Sequence, residues 1–301
     1  MTATVPLGRE TELAHLVQAL HRVRDSGVVV VLVTGPRGVG RSTLLTAVGE
    51  QHTGPVCRAV GAPWETHHAG AVLAQLAGAP SLPPDPLDAA AQLRSRVADP
   101  QAVTLLVVDD AHHADLHSLQ VLATLRRHHS DAPVCVLLAA PSGPGHGGSP
   151  EVLELLAGVP DRRVVLEPLD GDALVRLALA RGIAVAPWVV EPLHRHTGGL
   201  PGAAMALFEE LPRATWSDPH PELPAPAVVA ARVAERLPGL PPDARRLVEA
   251  ACVLEDERSL ALAARLAGVE DVWPAVDSAT RAGLLTLRGP AGAHEVGPPD
   301  P

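Results

Sequence analysis

The chain has 301 residues, which is long enough for two or three domains that each bury a core. Its hydrophobic fraction of 47% excludes a mainly disordered chain, and because only five residues are aromatic, Ala, Val and Leu must build the core. The net charge of −10 disfavours nucleic acid and anionic membranes as default partners. All 24 basic residues are arginines, since the sequence contains no lysine.

Three cysteines, Cys57, Cys135 and Cys252, lie far apart and beside apolar residues. They form neither an even-numbered framework nor a CxxC pair, which predicts buried thiols in a reducing compartment. The first ten residues, MTATVPLGRE, lack the basic and apolar segments of a signal peptide, and no apolar run is long enough for a membrane span. These features predict a soluble cytoplasmic protein that has no membrane partner.

The first 170 residues alternate between short apolar strands and helical stretches, which predicts a parallel sheet with helices on both faces. We expect these residues to form one nucleotide-binding domain. The predicted strands are Val28–Thr34, Val56–Val60, Thr104–Asp109, Val134–Ala139 and Val164–Leu166. The predicted helices are Leu13–Val23, Ser42–Gln51, Ala69–Leu76, Pro86–Val97, Ser118–His128 and Glu151–Leu156. A flexible loop is predicted at Ala140–Pro150.

After Leu169 the strand pattern stops, and helical periodicity continues through most of the remaining chain. We expect a helical lid subdomain over 171–216, a Pro-rich linker over 217–227, and a winged-helix-like module over 228–301 that is truncated at its C-terminal end. The predicted helices are Asp172–Arg181, Val189–His196, Pro201–Leu211, Val228–Leu237, Pro242–Val253, Ser259–Ala267 and Val272–Ala282. A short strand is predicted at Leu284–Leu287.

The segment GPRGVGRST follows a run of valines and precedes a predicted helix. It fits the phosphate-binding loop (P-loop) G-x-x-x-x-G-K-[ST], except that Arg41 stands in place of the lysine. Glycines allow successive backbone N–H groups to point at phosphate oxygens, and the start of a helix adds its positive dipole end. Ser42 supplies a hydroxyl for Mg²⁺, and Arg41 supplies a cation that is bulkier and more directional than lysine. The predicted nucleotide-binding residues are Gly35, Pro36, Arg37, Gly38, Val39, Gly40, Arg41, Ser42 and Thr43.

The segment TLLVVDDAHHAD places two carboxylates at the end of a predicted strand. Ligands gather at the carboxyl ends of parallel strands, so we expect Asp109 to hold Mg²⁺ through water and Asp110 to orient an attacking water. Two carboxylates often do no more than end a strand. Their position about seventy residues after the P-loop favours the functional interpretation.

Several other features are ambiguous by themselves. The segments LGRETEL and HTGGLPGAAMAL have the composition of ordinary helix starts and turns. His113 and His117 could share a helix face, but without a third ligand, solvated histidines are favoured over a metal site. Residues 240–301 contain ten acidic residues and six arginines, which disfavours direct DNA binding by this module and favours a lid or spacer.

Together, these residues make the chain resemble the signal-transduction ATPases with numerous domains (STAND). More narrowly, it resembles the N-terminal ATPase part of large ATP-binding regulators of the LuxR family. The resemblance covers nearly the whole chain and implies an AAA+/STAND-like P-loop NTPase fold. It also implies ATP or ADP with Mg²⁺ as ligands, and self-association or a partner protein in the ATP-bound state. It rests on five segments in the family's order: LGRETEL, GPRGVGRST, LLVVDDAHHAD, VVLEPLD and GGLPGAAMAL.

The resemblance also implies roles for particular residues. Gly8 and Arg9 would lie near the adenine and ribose, Gly199 and Pro201 would close the lid over the nucleotide, and Asp110 would act as the base. The chain departs from the family at Arg41 and at the end of the fourth strand, where only Ser142 is available as a weak polar sensor. It also ends about where the family continues into a helical sensor region and a DNA-binding domain, so we expect that output domain to be absent.

The expected function is an ATP- or ADP-binding regulatory NTPase module with slow or absent hydrolysis and a nucleotide-dependent switch. One alternative is a catalytically inactive nucleotide-binding scaffold, in which Arg41 and the weak sensor have removed turnover. A less favoured alternative is an origin-recognition-like AAA+ protein that loads onto DNA. That function would require a basic C-terminal helix.

Overall fold

A computed structural model describes residues 6–79, 82–99, 101–129, 131–142, 148–254, 259–288 and 295–297. The chain divides into two compact units. The first unit contains the described residues of Met1–Gly35, Val39–Ser142 and Gly147–Glu167, and the second contains Pro36–Gly38 with the described residues after Glu167. Each unit is described by itself below.

A five-stranded parallel sheet forms the centre of the first unit. Its strands are runs of β-branched and apolar residues, which suit a sheet that is covered on both faces. Leu137 lies opposite Val31 on one side and Val107 on the other, so β4 separates β1 from β3. The strands are β1 (Val29–Gly35), β2 (Val56–Val60), β3 (Thr104–Asp109), β4 (Val134–Pro141) and β5 (Arg162–Val165), in the order β2-β3-β4-β1-β5.

Six helices cover this sheet. Alternate residues of the strands, such as Val30 and Leu32, pack with apolar side chains of α3 to α6, while α1 and α2 contact the sheet strands through buried residues such as Leu16 and Leu44. Both faces are therefore shielded from water, as the sequence predicts. The helices are α1 (Glu10–Ser26), α2 (Arg41–Gln51), α3 (Ala71–Ala77), α4 (Pro86–Val97), α5 (Leu116–His128) and α6 (Pro150–Gly158).

Every predicted strand and helix of the first unit is present, but several boundaries differ. Helix α1 begins at Glu10 rather than Leu13, because acidic residues in the first turn extend the helix beyond its apolar stripe. Strand β5 spans Arg162–Val165 rather than Val164–Leu166, because the exposed arginines at its start pair with β1. The predicted loop at Ala140–Pro150 is shorter, since β4 extends to Pro141 and α6 begins at Pro150. Residues 143–147 of that loop lie outside the described residues.

The second unit is mostly helical and contains two apolar cores. One core surrounds Trp216, which is fully buried against Phe208 with a ring-centroid distance of 5.0 Å. The other lies among α11, α12 and α13, which precede an antiparallel pair of strands, the order expected of a winged-helix module. The helices are α7 (Gly171–Ala180), α8 (Pro187–Thr197), α9 (Pro201–Glu210), α10 (Ala227–Arg236), α11 (Pro242–Val253), α12 (Leu260–Ala267) and α13 (Val272–Arg281), and the strands are β6 (Thr286–Arg288) and β7 (Glu295–Gly297).

Two details of the second unit differ from expectation. The strand predicted at Leu284–Leu287 begins only at Thr286, because Leu284 and Leu285 are core residues that pack beneath it. The end of the Pro-rich stretch over 217–227 is attached to α9, since the Ala227 amide donates to the two carboxylate oxygens of Glu210 at 3.1 and 3.2 Å. Its role as a boundary between domains stays a prediction. Among the described residues, no helix has the length and apolarity that a membrane crossing requires.

Candidate nucleotide-binding site

The P-loop joins β1 to α2 at the carboxyl edge of the sheet. Gly35 ends β1 and lies very close to the backbone that follows β5. A Cβ atom at this position would be 2.6 Å from the Leu166 carbonyl oxygen. Gly40 precedes α2 with φ at 100°, a left-handed conformation that favours glycine. Ser42 and Thr43 are exposed in the first turn of α2, where backbone N–H groups have no partner within the helix. This is the geometry of an anion-binding helix start.

Arg41 lies at the base of this loop with its side chain only 10% exposed. Its Nη1 donates a hydrogen bond to the carbonyl oxygen of Gly35. Its Nη2 lies 3.9 Å from Oδ1 of Asp110, at the end of β3. The structure therefore brings the P-loop cation together with the second carboxylate of the Asp pair, a contact that the sequence does not predict.

The two aspartates have different environments. Oδ1 of Asp109 accepts a hydrogen bond from the Asp110 amide at 2.9 Å, which orients the Asp109 carboxylate at the strand end. Asp110 has φ at 45° and is, among the described residues, the one non-glycine with a positive φ. Its side chain is 46% exposed, and Oδ1 also lies 3.9 Å from Nδ1 of the buried His112. Backbone strain of this kind concentrates at functional sites.

The end of β4 lies between these two motifs in the sheet order. The Ser142 amide donates to the Gly35 carbonyl oxygen at 3.1 Å, so the sensor position contacts the P-loop through its backbone. The same carbonyl oxygen accepts from Arg41. Gly35 thus connects the strand end, the cation and the predicted sensor.

Arg9 is buried, with only 5% of its surface exposed. Its Nη2 donates to the carbonyl oxygens of Val39 at 3.1 Å and Glu167 at 2.6 Å, and Nη1 donates to Oε1 of Glu12 at 3.1 Å. The guanidinium therefore holds backbone of the P-loop and of the chain after β5. The predicted contact of Gly8 and Arg9 with adenine and ribose stays a prediction.

Gly199 and Pro201 belong to the second unit, in the turn between α8 and α9. The Gly199 carbonyl oxygen accepts from the Leu169 amide at 2.8 Å, and Pro201 begins α9. The Gly202 amide donates to the carbonyl oxygen of Gly38, which belongs to the same unit, at 2.9 Å. The turn and one residue of the P-loop are thus joined within the second unit.

Mg²⁺ bound to a nucleotide takes most of its ligands from phosphate and water, so the protein needs to supply only one or two oxygens. The exposed Ser42 hydroxyl and the Asp109 carboxylate are oxygen donors of the preferred kind. Within the described ranges, no group of three or more His, Cys, Asp and Glu could hold a metal ion. His113 ends a 3₁₀ turn and His117 lies in α5, so the two do not share one helix face.

Sequence reasoning missed Asp115, a buried residue of the same segment. Its carboxylate accepts from the amides of Gly70 at 2.8 Å, Val72 at 3.3 Å and Ser118 at 2.9 Å, and from the Ser118 hydroxyl at 2.6 Å. It therefore joins the start of α3 to the start of α5. An Asp three residues before Ser at a helix start is a capping signal, but the contact with α3 spans 45 residues.

A cavity of about 510 Å³ lies at the opposite, amino-terminal side of the sheet strands. Side chains from the last turns of α1 and α2, such as Arg24 and Gln51, line it together with Val103. No P-loop residue contributes to its lining. This cavity is therefore separate from the candidate nucleotide site.

The AAA ATPase domain family matches residues 5–137, which include the P-loop and both aspartates. This match spans less than half of the chain and implies a nucleotide site within it. No curated protein matches the chain.

Solved structures match almost the whole chain. A Walker-type ATPase of Pyrococcus abyssi aligns with a TM-score of 0.64 at 14% identity, over 97% of this chain and 93% of that one. The chain has the AAA+ fold of P-loop NTPases. The ORC2 protein of Aeropyrum pernix aligns with a TM-score of 0.56 at 13% identity, over 100% and 92% of the two chains. Cdc6p of Pyrobaculum aerophilum aligns with a TM-score of 0.53 at 14% identity, over 99% of this chain and 92% of that one. At these identities the likeness concerns the fold alone.

Proposed function

We propose that this AAA+ chain is an ATP- and ADP-binding regulatory module that hydrolyses ATP slowly or not at all. The observation that carries the proposal is the P-loop at the start of α2 with the Asp109–Asp110 pair at the end of β3, on the same edge of one sheet. That arrangement can hold phosphates, a divalent cation and a water at once.

Each group has a chemical role in this proposal. The P-loop amides and the start of α2 bind the phosphate oxygens, and Arg41 adds a positive charge near the terminal phosphates. Ser42 and Asp109 hold the Mg²⁺ of the nucleotide, which neutralises charge on the phosphates when it is bound. Asp110 orients the attacking water. Any turnover is slow because Arg41 is bulkier and more directional than lysine, and because Ser142 offers its backbone rather than a strong polar side chain to the P-loop.

The regulatory part of the proposal rests on the resemblance and on one contact within the second unit. The Gly202 amide, next to Pro201 at the start of α9, donates to the carbonyl oxygen of the P-loop residue Gly38 at 2.9 Å. Gly199 and Pro201 would respond to the nucleotide through this contact. The resemblance to LuxR-type STAND regulators supports a cytoplasmic switch that self-associates or binds a partner protein in its ATP form.

Calorimetric titration of the full chain with ATP and ADP, with and without Mg²⁺, tests this function. We expect micromolar binding of both nucleotides, with a Mg²⁺-dependent part that Ser42→Ala removes because the hydroxyl ligand is lost. Thr46→Ala, an exposed substitution later in α2, is the matched control and should bind as the unsubstituted chain does. Absence of binding in the unsubstituted chain would contradict the proposal.

A long phosphate-release assay on the same sample separates the slow ATPase from the inactive scaffold. Release that Asp110→Asn abolishes, while nucleotide binding persists, would identify an ATPase with Asp110 as its water-orienting residue. Binding without release above the buffer rate would identify the scaffold. Release that is unchanged in Asp110→Asn would remove Asp110 from the mechanism.

An origin-recognition-like function is the second candidate, because two of the aligned structures are an ORC protein and Cdc6p. Binding to DNA through phosphates would fall steeply with added salt. The ten acidic residues against six arginines over 240–301 disfavour such binding. A titration with duplex DNA at low and moderate salt distinguishes the two candidates, and we expect no salt-sensitive binding.

A further inference from the structure

Arg41, at the lysine position of the P-loop, uses two separate nitrogen atoms to reach two groups, which the single nitrogen of a lysine does not do. A guanidinium is planar and presents its donors in a rigid fork. In Arg41, one terminal nitrogen donates to the Gly35 carbonyl oxygen and the other faces Oδ1 of Asp110 at 3.9 Å. One side chain therefore reaches the P-loop backbone and the end of β3 together.

Asp110 is held in a position that faces this cation. Its backbone has φ at 45°, and its amide is bound by Oδ1 of Asp109. The same carboxylate oxygen that faces Arg41 also faces Nδ1 of the buried His112 at 3.9 Å. The low exposure of Arg41, at 10%, reduces solvent screening of its attraction to Asp110.

We propose that Arg41 and Asp110 form a bridge between the P-loop and β3, and that nucleotide phosphate competes with Asp110 for Arg41. This inference rests on the proposed function and concerns its regulation. While the bridge is closed, the P-loop cation is neutralised by Asp110. A phosphate that takes the guanidinium opens the bridge and leaves Asp110 able to orient water, so binding and readiness for turnover are coupled.

The competition has a measurable consequence for affinity. Removing the charge of Asp110 eliminates the competing anion, so phosphate should bind Arg41 more tightly. It also removes general repulsion between Asp110 and the nucleotide, which raises affinity whatever residue occupies position 41. The two effects separate only if the same substitution is made with and without the guanidinium.

A double-mutant cycle provides that comparison with Arg41→Gln, Asp110→Asn and the combined variant of the full chain. Asparagine tolerates the left-handed backbone at position 110, and glutamine removes the charge of Arg41 while keeping a polar side chain. Urea unfolding without nucleotide measures the contribution of the bridge to the free energy of unfolding. Competition against a fluorescent ADP analogue, in EDTA so that Mg²⁺ does not contribute, measures ATP and ADP affinity. Glu154→Gln, on the exposed surface of α6, is the control for loss of one negative charge.

We expect the two substitutions to be non-additive in urea unfolding, because either one breaks the same bridge. Asp110→Asn should tighten ATP binding by about fivefold when Arg41 is present and by less than twofold with Arg41→Gln, a size typical of a partly exposed ion pair. Glu154→Gln should change neither quantity.

Additive unfolding effects, or equal tightening of ATP binding in both backgrounds, would overturn the bridge. If no variant binds nucleotide, the proposed function fails while the unfolding cycle still decides on the bridge. If binding is present and the cycle is additive, the bridge fails and the proposed function stands.

Discussion

Arg9 has a structural role that the sequence does not predict. The resemblance implies a role next to the nucleotide, and LGRETEL alone gives no sign of another. In the structure the Arg9 guanidinium donates both to Val39, 30 residues along the chain, and to Glu167, 158 residues along it. A pattern in sequence reports neighbours along the chain, so a bond of this length becomes visible only when the sheet is assembled.

Arg9→Ala should destabilise the chain by about 2–4 kcal/mol, because two backbone carbonyl oxygens lose a buried donor. It should also weaken ADP binding, since the P-loop loses the anchor at Val39. Arg22→Ala removes an exposed arginine from the same helix and is the matched control, with an expected change below about 0.5 kcal/mol. Urea unfolding of both variants is the measurement, and equal midpoints would refute the anchoring role of Arg9.

Asp115 gives a second prediction at this scale. Asp115→Ala should destabilise the chain by about 2–4 kcal/mol, because three amides and one hydroxyl lose their acceptor inside the first unit. Asp85→Ala removes a cap at the exposed start of α4 and should cost only about 1 kcal/mol. The difference between the two, measured by urea unfolding, reports the burial of Asp115. If Asp115→Ala lowers the free energy of unfolding no more than Asp85→Ala does, the proposed role of Asp115 as a buried acceptor is wrong.

At the scale of elements, strand positions were the easiest feature to predict. Runs such as Val28–Thr34 are apolar on both faces, and only a covered parallel sheet accommodates that pattern. Boundaries were harder, because exposed residues such as Arg162 and Glu10 join an element without contributing to its apolar pattern. The order of the strands, with β4 between β1 and β3, also had no local signal, since hydrogen bonding between strands is not encoded by spacing.

The burial of Cys135 near the start of β4 leads to an element-scale prediction. Burial, with a smaller effect from the charge of Asp161, raises the pKa of the Cys135 thiol to about 12. The thiol therefore stays protonated at neutral pH, and the thiolate is the reactive form. Cys252 is exposed, so the prediction of three buried thiols is wrong for this residue, which lies near the end of α11 rather than in a core. Partial desolvation and then the charge of Glu249 raise the pKa of its thiol.

Alkylation with iodoacetamide at pH 7.5, followed by mass spectrometry, should modify Cys252 first and leave Cys135 unmodified until the chain is unfolded in urea. Cys57 is half-buried with a pKa raised by burial, so it should react at an intermediate rate. The rates for Cys252 and Cys57 should rise with pH as more thiolate forms. Modification of native Cys135 as fast as Cys252 would contradict its place in the sheet.

At the scale of the whole molecule, the fold class could be predicted because five separate segments agree with one architecture. The parallel sheet and the helical second half agree with the fold of the aligned structures, and the P-loop and the Asp pair lie within the residues that match the AAA ATPase domain family. The contact between Arg41 and Asp110 could not be predicted, because it depends on the direction of two side chains from neighbouring motifs. The hydrogen bond from the Gly202 amide to the Gly38 carbonyl oxygen could not be predicted either, because it joins residues 164 positions apart in the chain.

Hydrogen exchange of the full chain without nucleotide, with ADP and with ATP tests the central claim of a nucleotide-dependent switch. Either nucleotide should slow exchange of the amides in Gly35–Thr43, because phosphate oxygens accept from them. Exchange in the α8–α9 turn that holds Gly199 should differ between ATP and ADP, because the proposed switch responds to the terminal phosphate. Equal exchange of that turn with ATP and with ADP would contradict the switch, and unchanged exchange across Gly35–Thr43 with both nucleotides would contradict nucleotide binding as well.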